Sequence, residues 1–590
     1  MKLLAIILFV SISIGIKAQT ITVATDGSGD YNCNGTNDEI EINQAITDAF
    51  NQGGGTVHLK NGTYIIDNPI IMKSNIIFEG ESDENTIIKL ADEADWGVHP
   101  DSSYPIYHDA ESFIIGDGST NVNPNWQYTI GRIENVTLQN FKIDGNKDNQ
   151  HYVDLNGDTV LIEGGTSNYT AIDLGDPYDA TRSNNLTFSN VRVENNLGDA
   201  IILQTAENIN INHCKSANIG HSAAYLIDVL NVLAEYNEYD IYANSGIRID
   251  MGNHIIIRHN HLFSSDNAGN YGIQISHRYT TDVMNDVLIE KNLIEDIPYA
   301  GIALYTDDPS ITDGVIIRNN LIYRCGLPSV ATESGGINIF NFNNTIIENN
   351  TIFNNCAGGI VFGVNPYYPN GLTGNKTAYI RNNIVTSSIG LGIDSYGIYL
   401  ENGDNTNLIM ENNDVWDNQT ANYYNCSAGN NSISVDPLFV AGQTIADKWD
   451  TPYPTLDLHL QQNSPCINTG VTTANVTDDY DNNSRPYGSA YDIGAFEYVG
   501  PLSISDITDN ELLTYPNPFT DLIIINENIN ISEISIFNIL GVDVSNQVSF
   551  KQTNDKIEIS TAKLQSGIYI IKTKTFADKV YKSLGVWQLN

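Results

Sequence analysis

Basic residues are scarce in this chain of 590 residues. It carries 28 Lys and Arg against 71 Asp and Glu, a formal net charge of −43 at pH 7. Such a surface repels nucleic acid and anionic membranes at long range, and it suits a salty, marine habitat or bound divalent cations. We expect no nucleic-acid partner, and a site for an anionic substrate has to gather its cations locally.

Cysteines are few as well. Six cysteines in a chain of this length exclude a scaffold held together by disulfides. Cys325 and Cys356 fall at nearly equivalent places in successive repeats. A disulfide between them and two buried free thiols both stay open.

Long hydrophobic runs are confined to the start of the chain. Lys2 is followed by an apolar run from Leu3 to Ile16 and then by Lys17-Ala18 before Gln19, which is the pattern of a secretory signal peptide. The run is too short to span a membrane, and no later stretch is long and apolar enough. We therefore predict a signal peptide over residues 1–18 and an exported protein with no membrane span.

The chain is rich in one repeated strand pattern. Residues 244–250 read NSGIRID and residues 271–277 read YGIQISH, so apolar residues alternate with polar ones in both. Alternation with period 2 indicates a strand with one buried face. Its return every few tens of residues indicates a solenoid of stacked coils.

Asparagine ends one strand in each repeat. Asn tolerates the left-handed backbone of a tight turn, and its amide can bond to the coils above and below. We predict a structural asparagine ladder that fixes the register between coils. Its members are Asn140, Asn190, Asn237, Asn260, Asn292, Asn320, Asn350, Asn383 and Asn413, with His213 in one coil.

One amphipathic segment precedes the repeats. Apolar residues from Ile40 to Ala49 recur at helical spacing, with Asp38 at the N-cap position. A helix here would cover the open end of the first coil, as terminal caps of solenoids do. With Asp26-Gly27, Gly53 to Leu59 and Gly62-Thr63-Tyr64, the segment resembles the pectate-lyase-like family. The resemblance implies an all-β fold, a right-handed parallel β-helix with an N-terminal capping helix.

The end of the chain has a different character. Tyr515-Pro516-Asn517-Pro518-Phe519 and Ser566-Gly567-Ile568-Tyr569 closely resemble the C-terminal sorting domain of the type IX secretion system of Bacteroidetes. The resemblance implies a small C-terminal β-sandwich, handling by the type IX machinery, and a secreted or cell-surface location. The predicted division is signal peptide 1–18, β-helix catalytic domain 19–431, β-helix closing segment 432–498, linker 499–510 and sorting domain 511–590.

The candidate site lies on the outward face around residues 244–277. In the ladder register Tyr225 and Ile227 point inward, which puts Leu226 beside Arg248 and Asp228 beside Asp250. Neighbouring parallel strands lie about 4.8 Å apart, so side chains of adjacent coils converge in one patch. The predicted catalytic residues are Arg248, His277, Tyr305, Asp250 and Asp228, and the predicted substrate-binding residues are Gln274, Arg278, His221, Asp307 and Tyr279. A purely structural ion pair of Arg248 with Asp250 or with Asp228 is the alternative.

Two chemistries fit this patch. In the first, Arg248 neutralises a uronate carboxylate and a base (His277, Tyr305 or His221) removes the C5 proton. Elimination by a lyase or dehydratase then follows, or reprotonation by a C5-epimerase. In the second, Asp228 and Asp250, about 5 Å apart in successive coils, act as a retaining glycosidase pair. We expect elimination, because the scarce cations are concentrated here.

The same stretch carries a second resemblance. Gly-Ile-Arg-Ile-Asp followed by Tyr-Gly-Ile-Gln-Ile-Ser-His resembles disaggregatase-type and mannuronan C5-epimerase-type β-helices, which implies an acidic polysaccharide or oligosaccharide as substrate. The epimerases carry Tyr-Gly-x-Asp-x-His; here Gln274 takes the Asp position, and His277 comes one residue later.

Neither chemistry requires a cofactor. Calcium stays open because Asp228, Asp250 and Asp307 offer carboxylates to the patch. Asp26 and Asp30 are weaker metal candidates, in a loop that lacks the final Glu of an EF-hand. A glycan-binding β-helix without catalysis is a further alternative, favoured by the aromatic residues between Trp96 and Trp126. We expect a monomer.

Overall fold

The computed structural model describes most of the chain. The described residues are 19–94, 112–116, 132–153, 159–161, 170–175, 181–241, 243–265, 269–277, 283–327, 334–363, 376–390, 392–402, 404–442, 456–473, 476–500, 514–515, 521–525, 531–538, 544–552, 556–564, 567–575 and 580–588. The chain forms two compact units, Met1–Tyr498 and Val499–Asn590. The predicted signal peptide, residues 1–18, lies outside the described residues.

The first unit is a parallel β-helix, as the sequence predicts. Its coils contribute strands to three parallel sheets, here called the front, second and third sheets in the order in which a single coil such as residues 245–263 passes through them. The front sheet contains Ile70–Met72, Ser112–Gly116, Thr170–Leu174, Tyr271–His277, Ala300–Thr306, Gly335–Phe340, Gly358–Gly363, Tyr396–Leu400 and Ala421–Tyr424, and the first parts of Ile201–Asn212, Ala224–Glu235 and Ser245–Arg258.

The other two sheets complete each coil. The second contains Gln19–Ala24, Gly55–Leu59, Ile76–Gly80, the first parts of Glu134–Asp144 and Ser183–Asn196, the last parts of the three long front strands, and Val287–Glu290, Val315–Arg318, Thr345–Glu348, Thr377–Arg381 and Asn407–Glu411. The third contains Gly62–Ile66, Thr86–Leu90, the last parts of Glu134–Asp144 and Ser183–Asn196, Lys215–Ile219, Glu238–Asp240, His261–Phe263, Leu293–Glu295, Leu321–Tyr323, Thr351–Phe353, Ile384–Thr386 and Asp414–Trp416.

The remaining described elements of the first unit are short. Tyr31–Asn32 pairs with Gln19–Ala24, His151–Val153 pairs with Thr159–Leu161, and Phe439–Ala441 pairs with Asp457–Leu460. Two 3₁₀ turns cover Lys147–Asn149 and Pro309–Ile311.

The capping helix is present at the predicted place. It spans Glu39–Asn51, and its apolar residues Ile42, Ala45 and Ile46 join the core inside the coils. Asp38 occupies the N-cap position, but its side chain does not cap the helix. Its carboxylate accepts backbone N–H groups of Asn34, Gly35 and Ile65 instead. No helix among the described residues is long and apolar enough to cross a membrane.

The asparagine ladder exists, and it is two columns rather than one. In the buried column each Asn Nδ2 donates to the Oδ1 of the next coil at 2.9–3.0 Å, from Asn237 through Asn260, Asn292, Asn320, Asn350 and Asn383 to Asn413. Left-handed backbone belongs to the column one residue earlier, which holds Asn140, Asn190, His213, Tyr236 and His259. The sequence prediction merged the residue that bends the chain with the residue that bonds the coils.

Residues after the last coil pack along the side of the β-helix. Phe439, Leu458 and Phe496 share a small core with Leu321 and Phe353, which lie on the outside of the third sheet. The buried guanidinium of Arg485 bonds Glu497 at 2.7 Å and Asn319 at 3.3 Å. All six cysteines, Cys325 and Cys356 included, are thiols and not disulfides.

The second unit is built from two antiparallel sheets. One contains Thr514–Tyr515, Leu522–Ile525, Ser549–Gln552 and Ile557–Ser560, and the other contains Ile531–Asn538, Gly567–Thr575 and Val580–Gln588. A 3₁₀ turn covers Ser545–Gln547. Ile523, Ile536, Ile559 and Ile571 lie in one separate apolar core, which agrees with the small C-terminal sandwich that the sequence predicts.

Candidate active site

The candidate site lies on the front sheet, and one strand has a register different from the predicted one. Tyr225 pairs with Arg248, and Ile227 pairs with Asp250. Leu226 therefore points into the core, where it is fully buried. The sequence could not separate the two registers because Tyr225 and Ile227 are apolar enough to pass for inward residues. A slip of one residue exchanges the two faces of a strand.

Arg248 is held by two neighbours on this face. Its Nη2 donates to Asp250 Oδ2 at 2.8 Å, and its guanidinium carbon lies 4.3 Å from the centroid of the Tyr225 ring. The Tyr225 hydroxyl donates to the same Asp250 oxygen at 2.7 Å. We call these three side chains the Arg248 cluster. The structural ion pair considered from the sequence is therefore present.

The Arg248 cluster keeps an opening to solvent. The Arg248 and Asp250 side chains are 16% and 17% exposed. The hydrogen bonds of Arg248 within the described part of the chain use Nε and Nη2, which leaves the two N–H groups of Nη1. A guanidinium presents five donors in a planar fork. Arg248 can thus bind an anion while it stays paired with Asp250.

The electrostatics of the cluster fix its protonation. Burial raises the pKa of the Tyr225 hydroxyl, and the Asp250 charge raises it further. Burial opposes the charged form of Arg248, but the charge and hydrogen bond of Asp250 outweigh burial and the pKa of Arg248 is raised. At neutral pH the cluster therefore contains a protonated phenol beside a permanent cation.

A histidine lies at the edge of the same cluster. His221 Nδ1 is 2.8 Å from Oδ1 of Asp199, whose side chain has no exposed surface. On the other side, Asn244 Nδ2 is 2.9 Å from His221 Nε2. The His221 and Tyr225 ring centroids are 6.1 Å apart. The buried carboxylate orients the imidazole toward the cluster.

The hydrogen bonds around Asn244 indicate the tautomer of His221. Ser245 Oγ lies 2.9 Å from Asn244 Oδ1 and 2.9 Å from Gln274 Oε1, and it can donate to either oxygen. With Oδ1 accepting, the amide nitrogen of Asn244 faces His221 and donates to Nε2. Nδ1 then carries the proton given to Asp199, and Nε2 is the basic nitrogen.

Several predicted residues join this site and others do not. Arg248, Asp250, His221 and Gln274 lie together as expected. Asp228 lies at the next turn with left-handed backbone, and its carboxylate pairs with Arg182 at 2.6 Å. The prediction that Asp228 neighbours Asp250 is therefore wrong, because Ile227 occupies that place.

His277 and Tyr305 lie on the front sheet but are closed off from solvent. Each is 2% exposed. The Tyr305 hydroxyl donates to the Tyr271 hydroxyl at 2.8 Å, and its ring stacks on Phe340 with centroids 4.8 Å apart. The expectation that either residue is a base open to substrate is wrong, since neither reaches the surface that the Arg248 cluster presents.

The outer substrate-binding candidates are less defined. Asp307 follows strand Ala300–Thr306, two coils beyond Asp250, and is partly exposed. Arg278 and Tyr279 lie outside the described residues, so their predicted role stays a prediction.

Metal ligands are not gathered around Arg248 in the part of the chain that the structure describes. Among the described residues, a single group of three possible metal ligands is found, and it lies elsewhere. It contains Cys33, Asp38 and Glu41, whose ligand atoms lie within 4.8 Å of one another. Burial raises the pKa of the Cys33 thiol to about 12, and three backbone N–H groups already occupy Asp38. This group therefore fits a structural role better than a metal site.

The metal candidates of the opening loop bond to their own neighbours. Asp26 Oδ1 accepts from the Ser28 backbone at 3.0 Å. Asp30 Oδ2 accepts from the Thr22 backbone at 2.8 Å and from the Thr22 hydroxyl at 2.7 Å. Neither belongs to a group of three metal-binding side chains among the described residues, so the loop offers no shared ligand set.

Sequence reasoning missed three members of the site. The predicted register places Tyr225 in the interior, Asn244 reads as part of a repeat, and no sequence pattern marks Asp199. The backbone N–H of Ser222 also donates to Asp199 Oδ1, at 2.8 Å, and helps to fix this carboxylate. The only signal in the sequence was the position of Asp199 one repeat before His221, which is weak without the register.

Three family models match parts of the chain. Residues 28–224 match the family described as rhamnogalacturonase A/epimerase, pectate lyase-like. Residues 284–470 match the disaggregatase-related family. Residues 513–586 match the secretion system C-terminal sorting domain, which indicates a secreted or cell-surface protein. Tyr225, Arg248 and Asp250 fall between the first two matches, so neither match assigns them a role.

Solved structures with a similar fold include carbohydrate-active enzymes. The AlgE6 A-module of mannuronan C-5 epimerase from Azotobacter vinelandii is 19% identical, with 70% of this chain and 100% of that chain covered and a TM-score of 0.48. The AlgE4 A-module from the same organism is 17% identical, covering 70% and 97%, with a TM-score of 0.46. An exopolygalacturonase from Thermotoga maritima is 14% identical, covering 67% and 87%, with a TM-score of 0.39. No curated protein matches the chain.

Proposed function

We propose that this protein is an exported enzyme that removes the C5 proton of a uronate unit in an acidic polysaccharide or oligosaccharide. The proposal rests on one observation: a partly exposed arginine, with Nη1 donors that no described residue takes, lies against a protonated phenol whose ring also contacts an oriented imidazole. Arg248 supplies the cation, His221 the base and Tyr225 the acid. The type IX sorting pattern at the chain end supports delivery to the cell surface or beyond.

Arg248 makes the proton acidic. The N–H groups of Nη1 bind the uronate carboxylate, and the neutralised carboxylate stabilises the carbanion that forms at C5. Removing that proton from an unpaired carboxylate would place two negative charges on neighbouring atoms. In a chain with a net charge of −43, such a local cation is also what allows an anionic substrate to bind.

His221 takes the proton. Its Nε2 is the basic nitrogen when Asn244 donates to it, and substrate displaces that amide. Asp199 holds Nδ1–H and stabilises the imidazolium that forms. Since the Asp199 carboxylate is buried and bonded to His221, it is a positioning residue and does not contact substrate.

Tyr225 completes an elimination. The C5–H bond breaks, its electron pair forms the C4–C5 double bond, and the C4–O bond breaks. The Tyr225 hydroxyl donates its proton to the departing oxygen, and His221 later returns a proton to the phenolate. The leaving oxygen belongs to a sugar in a lyase and to water in a dehydratase.

The same first step has a second outcome when no group leaves from C4. The His221 and Tyr225 rings contact each other edge to face, with centroids 6.1 Å apart, and the Tyr225 hydroxyl is the group that would return a proton to the other face of the C5 carbanion. That reaction is C5 epimerisation. Hydrolysis has less support, because the two described carboxylates nearest in sequence register are engaged elsewhere: Asp228 bonds Arg182, and Asp199 is buried against His221.

A panel of uronate-containing polysaccharides and oligosaccharides tests the proposal. Elimination produces an unsaturated uronate that absorbs in the ultraviolet, and epimerisation changes the proton NMR spectrum without cleavage. We expect one of the two with the full chain. New reducing ends without ultraviolet absorbance and without epimerised units would contradict proton abstraction and favour hydrolysis.

A further inference from the structure

One column of outward side chains on the third sheet has a gap between two aromatic residues. The last residues of successive strands are in register along this column, in the order Asp240, Phe263, Glu295, Tyr323, Phe353, Thr386 and Trp416. Thr386 is the small residue between Phe353 and Trp416. Because neighbouring coils are about 4.8 Å apart, the backbones of Phe353 and Trp416 are about 10 Å apart, with Thr386 midway.

The gap opens into a cavity of about 270 Å³. The third sheet supplies Phe353, Thr386 and Trp416 to its lining, and the closing segment supplies residues 436–439 and Gln461. Pockets that take small organic molecules begin at about 300 Å³. The size of the cavity therefore suits a single ring.

The closing segment holds the cavity in a fixed shape. The Phe439 ring contacts the Phe353 ring edge to face, with centroids 5.8 Å apart. Gln461 bonds the same segment twice: Nε2 donates to the Phe439 carbonyl at 2.7 Å, and the backbone N–H donates to the Leu438 carbonyl at 2.8 Å. The Asp436 carboxylate accepts the Leu438 N–H at 2.9 Å. These bonds keep Leu438 at a φ of 53°, a conformation that is costly for a bulky residue.

The polar groups of the cavity are hydroxyls and carboxylates. Thr386 Oγ1 and Ser387 Oγ are both buried and lie 3.3 Å apart, so their contact uses one of two hydroxyl protons. Asp417 and Asp436 are exposed, and the described lining residues include no Lys, Arg or His. Carboxylates accept hydrogen bonds from hydroxyl groups and repel other carboxylates.

We propose that this cavity binds one neutral sugar unit of a glycan. A sugar ring above Thr386 lies about 5 Å from the positions of Phe353 and Trp416, in the range of about 4.5–7 Å at which packed rings lie. Its apolar face contacts the aromatic side chains, and its hydroxyls donate to Asp417 and Asp436. A uronate is disfavoured, because its own carboxylate would face these two.

The cavity differs from the candidate active site in place and in charge. It lies on the third sheet, whereas the Arg248 cluster lies on the front sheet. A cation binds the substrate at the Arg248 cluster, and carboxylates bind the ligand in the cavity. The role of the cavity is attachment: it holds the protein on neutral sugar units, and no reaction takes place there.

Binding of neutral glycans by the full chain tests the proposal. Isothermal titration calorimetry compares neutral gluco-, manno-, galacto- and xylo-oligosaccharides with uronate oligosaccharides. We expect at least one neutral glycan to bind Arg248→Ala as tightly as it binds the native chain, since the cavity does not involve Arg248. No binding of any neutral glycan, or loss of that binding in a folded Arg248→Ala protein, would overturn the proposal. Neither result bears on proton abstraction at the Arg248 cluster.

Variants of the lining locate the binding site. We expect Trp416→Ala to weaken neutral-glycan binding by roughly 10-fold or more, as the loss of a central aromatic residue does at other binding sites. Asp417→Ala should weaken it too, and it changes an exposed residue, so it decides the matter if Trp416→Ala does not fold. Tyr236→Ala is the matched control, because it removes a 49% exposed ring at a turn elsewhere on the β-helix. Unchanged binding in the folded cavity variants would overturn the proposal.

Discussion

Tyr225 and Arg248 lie opposite each other on neighbouring parallel strands, with the guanidinium carbon 4.3 Å from the ring centroid. Both also bond the same oxygen of Asp250. The contact puts a cation against the face of a phenol whose proton is retained. The proposed chemistry depends on this pairing, because the substrate carboxylate and the leaving oxygen then bind on adjacent coils.

Arg248→Ala is expected to abolish most activity without unfolding the chain. Loss of one preorganised donor to a developing anion typically costs roughly 10²- to 10³-fold in rate. Steady-state kinetics on a uronate oligosaccharide measure the effect. Arg258→Ala is the control: Arg258 lies on the same strand but pairs with Glu235 on the second sheet at 2.7 Å. Equal losses in both variants would mean that Arg248 is structural.

Asp199→Asn tests the orientation of the base. The variant keeps the size of the side chain and loses the carboxylate that holds Nδ1 of His221. We expect kcat to fall by roughly 10²-fold, in the range for general-base catalysis, while KM stays close to that of the native chain.

His254→Ala serves as the matched control for that experiment. His254 also pairs with an aspartate, Asp286, but on an exposed turn. It should leave both kcat and KM unchanged. A drop in kcat for Asp199→Asn that comes with a comparable rise in KM or with loss of folded protein would speak for a structural role of Asp199 alone.

Asp228→Asn separates elimination from hydrolysis. Asp228 pairs with Arg182 and its side chain is 43% exposed, so its loss should cost at most about 1 kcal/mol of stability. We expect activity close to that of the native chain, while Asp250→Asn should lose most of it. A loss for Asp228→Asn as large as for Asp250→Asn, in a folded protein, would restore the two carboxylates as a catalytic pair.

The architecture follows from local pattern, whereas the site depends on register. Period-2 alternation and the recurring Asn identify the coils, because every coil needs strands with one buried face and a turn that is hydrogen-bonded to the next coil. Tyr225 shows the limit of this reasoning. An aromatic residue fits either face of a strand, and only the pairing of Tyr225 with Arg248 shows that its side chain points outward.

Burial by other parts of the chain is a second reason why the sequence does not identify the site residues correctly. His277 and Tyr305 have the outward register and the chemistry of a site, and sequence alone predicts them to be exposed. Coverage of an outer face depends on how distant segments fold back over it. No local pattern around Ala303 or Phe340 encodes that coverage.

His459 should make the first unit less stable at alkaline pH. Its ring nitrogens lie 2.6 Å from Asp457 and 2.7 Å from Asp481, and chiefly the bond to Asp481 raises the pKa of His459 to about 9 against burial. Because the folded value is the higher one, the stabilisation is complete below the unfolded pKa of about 6.5. It is lost as pH rises through 9.

Thermal unfolding at pH 6, 7.5 and 9.5 measures this effect by comparison of the native chain with His459→Gln. The side chains are 42–45% exposed, so we expect a difference of about 1 kcal/mol or less. The difference should be present at pH 6 and 7.5 and absent at pH 9.5. A difference that grows with pH would contradict the assignment.

The fate of the C5 hydrogen tests the central claim most directly. A uronate oligosaccharide carrying deuterium at C5 is incubated with the full chain and followed by NMR and mass spectrometry. If His221 removes that atom beside Arg248, deuterium leaves C5 in step with turnover, and Arg248→Ala leaves the label in place. Cleavage of the oligosaccharide with deuterium fully retained at C5 would contradict proton abstraction.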